Sequence, residues 1–393
     1  MKVLHFYKTA VPDTYGGIEQ CMHQIASGSA RHGIESHVLS LSTDGPATHA
    51  MPGYTRHTAR LDFQISSTGF SRSALHRFRE LARQADIVHY QFPWPFMDMV
   101  HFASGLRRPS VLTYQSDIVR QKHLLKLYRP LMHRFLGQMD RIVATSPDYL
   151  ASSTVLQRYR DKVHVIPIGL DAATYPDVSA ERKWHWQSQL GSAPFFLFLG
   201  VMRYYKGLHV LVEALRGTGM RAVLVGSGPM ESAIRAQARC LAPGQIIFTG
   251  SLPHEDKVAL LDLCHAMVFP SHLRSEAFGI SLLEASMFGK AIISCDIGTG
   301  TSYVNQHGVT GLVTPPSHPA ALRQAMHTLW HDSALAARMG VQARVRYQEL
   351  FTGARMTAAY ADLYRSTLKA RRTGDGQVSP TQNGNTQAFA ATP

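Results

Sequence analysis

Short apolar runs recur along the chain with helically periodic stretches between them. The runs at residues 2–7, 36–41, 86–92, 110–114, 141–145 and 163–168 form one series. Those at 195–200, 221–226, 245–250, 266–270, 291–294 and 311–314 form a second. Strand and helix patterns in alternation predict an α/β fold built on parallel sheets with helices on both faces. Two series predict two Rossmann-like domains. The break falls at 171–191, where a polar, Trp-containing segment follows the last run of the first series. Residues 1–187 are assigned to the first domain and 188–370 to the second, which closes with a helical pattern from 319 to about 369. Residues 371–393 are rich in Gly, Ser, Thr, Gln, Asn and Pro. Such a composition buries too little apolar surface to order itself, so a disordered tail is expected there.

A chain of 393 residues with 45% hydrophobic content is long enough for two cores. No apolar run approaches the roughly 18 to 20 residues that span a bilayer, and residues 1–7 read as a first strand rather than a signal peptide. Cys21, Cys240, Cys264 and Cys295 are scattered, without a CxxC pair, which fits a reducing cytoplasm better than a disulfide framework or a zinc site. The formal net charge of +13 implies an anionic partner. It is shared along the chain, with 22 Lys and Arg against 15 Asp and Glu over residues 1–190, and 18 against 12 beyond. No nucleic-acid-binding signature accompanies it, so a nucleotide or an anionic lipid surface is expected rather than nucleic acid.

The segment Pro270-Ser-His-Leu-Arg-Ser-Glu-Ala-Phe-Gly-Ile-Ser-Leu-Leu-Glu284 carries the most chemistry. A buried strand at 266–270 feeds a loop, and helical periodicity runs over 278–287. A helix N-terminus offers backbone N–H groups and a positive dipole end to phosphate. Glu276 in the loop and Glu284 two turns along can accept hydrogen bonds from sugar hydroxyls. Phosphate and sugar at one strand-to-helix turn point to a nucleotide-sugar site. Taken singly, Glu276 also reads as a surface loop carboxylate and Glu284 as an exposed helix residue. Arg203 and Lys206 follow the strand at 195–200, at the end where open α/β sheets bind ligands. A guanidinium fork and a point-charge ammonium suit a diphosphate, although two solvated loop charges would look the same. Gly16 and Gly17, between the first strand and a helix at 18–28, allow close backbone approach to a ligand or serve only a tight turn. The histidines show no metal-binding spacing, and no Asp-x-Asp pair occurs.

Gly16-Gly17, Gly200-Val-Met-Arg203-Tyr-Tyr-Lys206-Gly207, Gly226-Ser-Gly228-Pro and Glu276-x7-Glu284 occur in the order and spacing of a known family. Over most of residues 1–365 the chain resembles the retaining family 4 glycosyltransferases of the GT-B fold, in which two Rossmann-like domains face each other across a cleft. Thr113-Tyr-Gln-Ser-Asp117, Arg274-Ser-Glu-Ala-Phe-Gly279 and Ile297-Gly-Thr-Gly-Thr-Ser-Tyr303 are similar to bacterial mannosyl- and rhamnosyltransferases that build O-antigen polysaccharide. The resemblance implies a GDP-activated donor, mannose or D-rhamnose, a lipid-linked saccharide acceptor, and no metal or other cofactor. It implies Glu276, Arg203 and Lys206 as catalytic, with Glu276 on the hydroxyls of the transferred sugar and the two cations on the diphosphate. Gly16, Gly17, the backbone around Phe278, Gly279 and Ile280, and Glu284 on the ribose would bind the donor. Gln115 stands where the family usually has a histidine beside the sugar; glutamine can hydrogen-bond there but carries no proton. By resemblance Gln115 is donor-binding; it also reads as a loop residue paired with backbone.

Two basic amphipathic stretches remain. Residues 71–83 carry Arg72, His76, Arg77, Arg79 and Arg83, and residues 118–136 carry Arg120, Lys122, Lys126, Arg129 and Arg134. They read as ordinary solvated helices, or as a peripheral dock on the anionic inner face of a membrane. A nucleotide-sugar epimerase of the same fold and a non-catalytic basic binding protein are the rival readings.

Overall fold

The computed structural model describes residues 1–65, 68–118 and 122–374. Among the described residues, strands β1 (Lys2–Phe6), β2 (Glu35–Ser42), β3 (Ala47–Met51), β4 (Tyr54–Arg60), β5 (Phe63–Ile65), β6 (Thr68–Phe70), β7 (Ile87–Phe92), β8 (Ser110–Tyr114), β9 (Arg141–Ala144) and β10 (Val163–Val165) belong to the first half. The second half holds β11 (Phe196–Leu199), β12 (Ala222–Val225), β13 (Ile246–Gly250), β14 (Ala266–Phe269), β15 (Ala291–Cys295) and β16 (Gly311–Thr314). The first sheet runs β10-β9-β8-β7-β1-β2-β4-β3 and the second β13-β12-β11-β14-β15-β16. Both are parallel apart from the β3–β4 edge. Central strands such as β7 and β15 are buried at every position, because helices cover both faces. The chain order reverses beside β1 and beside β11. Loops leaving the carboxyl ends of these strands meet at the junction between the halves, the place where open α/β sheets bind ligands.

All twelve apolar runs prove to be strands, with no end shifted by more than three residues. The β3–β4 and β5–β6 hairpins are additions. They lack a continuous apolar run: β3 is an exposed edge strand, β4 lies between β2 and β3 but buries the polar Arg56, His57 and Thr58, and β5–β6 form a separate two-stranded sheet of short strands. The helix Ile280–Met287 begins two residues after the predicted start.

The chain closes by crossing back. It leaves the first half at Leu170 and returns beside it at Thr352, where the two residues form a bridge. The Gly353 N–H donates to the Leu170 carbonyl at 2.7 Å. The last helix, Gly353–Thr373, then packs on the first half rather than the second. The Tyr360 hydroxyl is 2.7 Å from Thr113 Oγ1, and the Tyr364 hydroxyl is 2.8 Å from His89 Nδ1. This helix carries order past the expected tail start at 371: Arg371 pairs with Asp140 at 2.7 Å. Residues 375–393, the rest of the expected tail, lie outside the described residues. Among the described residues no helix is long and apolar enough to cross a membrane.

Candidate nucleotide-sugar site

Two close backbone contacts assemble the site. Gly207, at φ 69°, packs so tightly on the loop after β14 that a Cβ would stand 2.0 Å from the Pro270 carbonyl oxygen. This brings the turn Tyr204–Lys206 against the loop that carries Glu276. Gly279 begins the helix Ile280–Met287 at φ 90°, a left-handed conformation. A Cβ there would sit 3.1 Å from the Phe269 ring.

Lys206 and Glu276 form a buried ion pair through Glu276 Oε2, which also accepts from Ser271 Oγ at 3.2 Å. The ammonium lies 4.6 Å from the Phe269 ring centroid. Burial alone would lower the Lys206 pKa, but the Glu276 carboxylate and Tyr205 outweigh it and hold the group above its ordinary value. Among the described residues Glu276 Oε1 has no hydrogen-bond partner. Glu284 is arranged alike. Its Oε1 accepts from Tyr175 and from Lys257, both at 2.8 Å, and Oε2 has no partner among the described residues. Each carboxylate is thus anchored by one oxygen, and the other has no partner among the described residues. Arg203 is exposed beside Lys206 and has no ion-pair partner among the described residues.

The first half meets this loop through Gly16 and Gly17. A Cβ on Gly17 would touch Ile280 Cδ1 at 3.6 Å, so the glycine turn faces the N-terminus of the helix that carries Glu284. Gly16 caps the helix Gly17–Gly28 without a side-chain cap hydrogen bond, and the Glu19 carboxylate lies so close that a Gly16 Cβ would stand 2.3 Å from its Oε2. Phe278 turns its ring into the core, 6.1 Å from Phe351, which leaves only its backbone to face a ligand. Among the described residues Gln115 and Glu276 share no hydrogen bond. The Gln115 side chain is buried, donating to Gln91 Oε1 at 2.8 Å, in a polar row that continues through His89 to Tyr364. The structure therefore pairs Gln115 with the domain interior, as in the loop-pairing alternative, although with side chains rather than backbone.

Sequence reasoning missed several neighbours. Lys8 follows β1; burial lowers its ammonium pKa, Glu19 raises it and Arg203 lowers it, so a third cation stands near Arg203. Glu19 accepts from Thr14 Oγ1 at 3.2 Å and is buried at the start of its helix. Tyr175 and Lys257 anchor Glu284 from the linker and the helix His254–Leu263. A basic residue just past the first strand was the available signal for Lys8. Tyr175 and Lys257 are far from Glu284 in sequence and carry no motif.

Two of the arginines of residues 71–83 are engaged within the protein. Arg77 is taken by Glu80 and Thr48, and Arg79 by the Ala103 and Ser104 carbonyls. Arg72 and Arg83 stay exposed on the helix Arg72–Gln84. On the helix Lys122–Gln138, Lys126, Arg129 and Arg134 are exposed around Leu127, itself 82% exposed. Arg120 and the Lys122 side chain lie outside the described residues.

Residues 15–174 match the model described as Glycosyltransferase Family 4, and residues 180–346 that described as Glycosyl transferases group 1. The D-rhamnosyltransferase WbpZ of Pseudomonas aeruginosa is 58% identical over 353 residues, covering 90% of this chain and 92% of that protein. The O-antigen chain mannosyltransferase C of Escherichia coli is 47% identical over 377 residues, covering 94% and 100%. Among solved structures, sucrose-phosphate synthase from Thermosynechococcus elongatus superimposes with a TM-score of 0.78 at 21% identity, covering 94% of this chain and 99% of that one. Anabaena HepE in complex with UDP and glucose gives 0.74 at 20% identity, covering 93% and 100%.

Proposed function

Because this chain belongs to the glycosyltransferases and has their GT-B fold, we propose that it moves mannose or D-rhamnose from a GDP-sugar to a lipid-linked saccharide in O-antigen synthesis, with retention and without a metal. The two relatives named above, a D-rhamnosyltransferase and an O-antigen mannosyltransferase, support the sugar class and the pathway. The observation that carries the site is the pair of half-engaged carboxylates, Glu276 and Glu284, flanking a helix N-terminus beside Lys206 and Arg203.

In this reading the backbone N–H groups from Gly279 and Ile280 receive the diphosphate, with Arg203, Lys206 and Lys8 around it. Glu276 Oε1 holds hydroxyls of the sugar, and Glu284 Oε2 those of the ribose. The bond between the anomeric carbon and the diphosphate oxygen breaks as the acceptor oxygen bonds to the same face. The acceptor's hydroxyl proton passes to the departing phosphate, so no protein nucleophile or base is required. The cations and the helix dipole stabilise the charge that develops on that phosphate. Glu276 orients the sugar, and positioning of this kind accounts for a large part of the barrier reduction.

The acceptor's lipid places the enzyme on the cytoplasmic face of a membrane as a peripheral protein. Exposed Arg72, Arg83, Lys126 and Arg129 with Leu127 support that surface. The test is titration of the protein with GDP-, UDP- and dTDP-sugars, followed by transfer assays with and without EDTA. GDP-mannose or GDP-D-rhamnose should bind tightest and support transfer in EDTA. Donor turnover without acceptor, or reversible loss on chelation, would refute the corresponding part of the proposal.

A further inference from the structure

The residue two positions before Glu276 ties the donor loop to the other half of the molecule. The Glu276 N–H donates to the Leu273 carbonyl at 3.0 Å, closing a tight turn with Arg274 inside it. Arg274 reaches out of this turn to the first half. Its Nη2 donates to Asp117 Oδ2 at 3.1 Å, and its Nη1 to Ser152 Oγ at 3.0 Å and to the Gly298 carbonyl at 2.7 Å. The guanidinium lies 5.5 Å from the Tyr149 ring centroid. Asp117 is itself fixed, since Oδ1 accepts from the Tyr114 hydroxyl and from Ser153 Oγ, both at 2.9 Å. Ser152 Oγ also donates to the Gly298 carbonyl, so the loop after β15 joins the same cluster.

One planar fork therefore serves acceptors on three segments: the loop after β8, the short helix Pro147–Ser152 and the loop after β15. An ammonium on a flexible stem could not satisfy them in this geometry. Arg274 and Asp117 are 32% and 21% exposed, so the pair is worth little as a stabiliser of the fold. A modest, partly hydrated contact of this kind can open and close, as a cleft that must admit a nucleotide sugar and release a nucleotide requires.

We propose that Arg274 is a positioning residue, a clasp that sets the Glu276 loop against the first half of the molecule and so aligns the bound sugar with the acceptor. This rests on the glycosyl-transfer reading, in which the second half holds the donor and the first half faces the acceptor. Neither Arg274 nor Asp117 is required to touch the donor diphosphate. The clasp therefore acts on turnover and not on donor affinity.

Arg274→Gln and Asp117→Asn test it, with Arg274→Lys and the exchanged pair Arg274→Asp/Asp117→Arg as companions. Each single variant should lose about 10- to 100-fold in kcat, the scale of an ångström-sized misplacement, with the Kd for the donor nucleotide within about 2-fold of wild type. The Arg274→Gln/Asp117→Asn double variant should be no slower than the slower single, because both remove one contact. Arg274→Lys should fall between wild type and Arg274→Gln, and the exchanged pair should recover part of the loss. Solution scattering should show a larger radius of gyration for Arg274→Gln, a readout independent of turnover. Additive losses, donor affinity that falls in step with kcat, or unchanged kcat and radius would overturn the proposal. If the wild type transfers no sugar from any donor, the glycosyl-transfer reading fails instead. The clasp is then decided by the scattering comparison alone. Asp117→Asn, nearly isosteric, provides the test if Arg274→Gln melts early.

Discussion

From sequence Glu276 reads as a residue on the hydroxyls of the transferred sugar and, taken singly, as a surface loop carboxylate. The structure changes the second of these readings. Both members of the Lys206–Glu276 pair keep only 11% of their side-chain surface exposed. Removing one partner of a buried pair leaves an uncompensated charge, at a cost of about 3 to 5 kcal/mol. For a cooperative unit of this size each kcal/mol moves the midpoint by about 2 to 4 °C. Taking about 3 kcal/mol, Glu276→Ala and Lys206→Met should each lower the melting transition by roughly 6 to 12 °C. The double variant Lys206→Met/Glu276→Met should melt higher than either single, since no charge is stranded. All three should lose at least about 10²-fold in transfer rate. The pH dependence has a definite sign. The Lys206 pKa is raised above its ordinary 10.5. Its contribution is therefore fully present below pH 10.5 and is lost as pH rises through the higher folded value. An alkaline loss of stability seen in wild type should be absent from Lys206→Met. Calorimetry or circular dichroism across pH, with parallel transfer assays, reads all of this. Single variants that melt with wild type, or a double variant that melts below both, would refute the buried-pair argument.

Glu284→Gln should weaken donor affinity by about 10-fold, the scale of one lost charge-assisted hydrogen bond, and leave kcat nearly unchanged; a fall in kcat at constant affinity would contradict the ribose role. His5 is buried with neither ring nitrogen partnered among the described residues, and burial, then His37, lowers its pKa to about 3. Its neutral form therefore stabilises the fold above pH 6.5, an effect lost towards pH 3 at up to about 1.4 kcal/mol per pH unit. His5→Phe should flatten the acid limb of a melting-point profile, and an unchanged limb would exclude His5 as its source. Arg72, Arg83, Lys126 and Arg129, replaced together by Gln, should reduce salt-sensitive binding to vesicles of anionic lipid without altering donor affinity; equal binding to neutral vesicles would favour solvated helices.

The linear sequence by itself determined the α/β class, the two-sheet plan and the twelve principal strands. A strand buried on both faces must be apolar at every position, and that signal is local. The glycine turn at Gly16 and Gly17, the Arg203–Lys206 turn and the helix start at Gly279 were legible for the same reason, since backbone geometry and charge type are written in a few adjacent residues. The β3–β4 hairpin was not: β3 is an exposed edge strand that accepts Thr and His, and β4, between β2 and β3, buries Arg56, His57 and Thr58 against polar partners (Asp13, Thr48 and the Gly45 carbonyl) instead of showing an apolar run. Long-range placement was decided only by the tertiary structure. It returns the last helix to the first half through Tyr360 and Tyr364, turns Gln115 inward to Gln91, and pairs Lys206 with Glu276 seventy positions away. It also sets Arg274 on Asp117 across 157 positions. Such contacts depend on which loops two sheets present to each other. A single sequence holds the charges that meet there, but the distance between them exists only once both cores have packed.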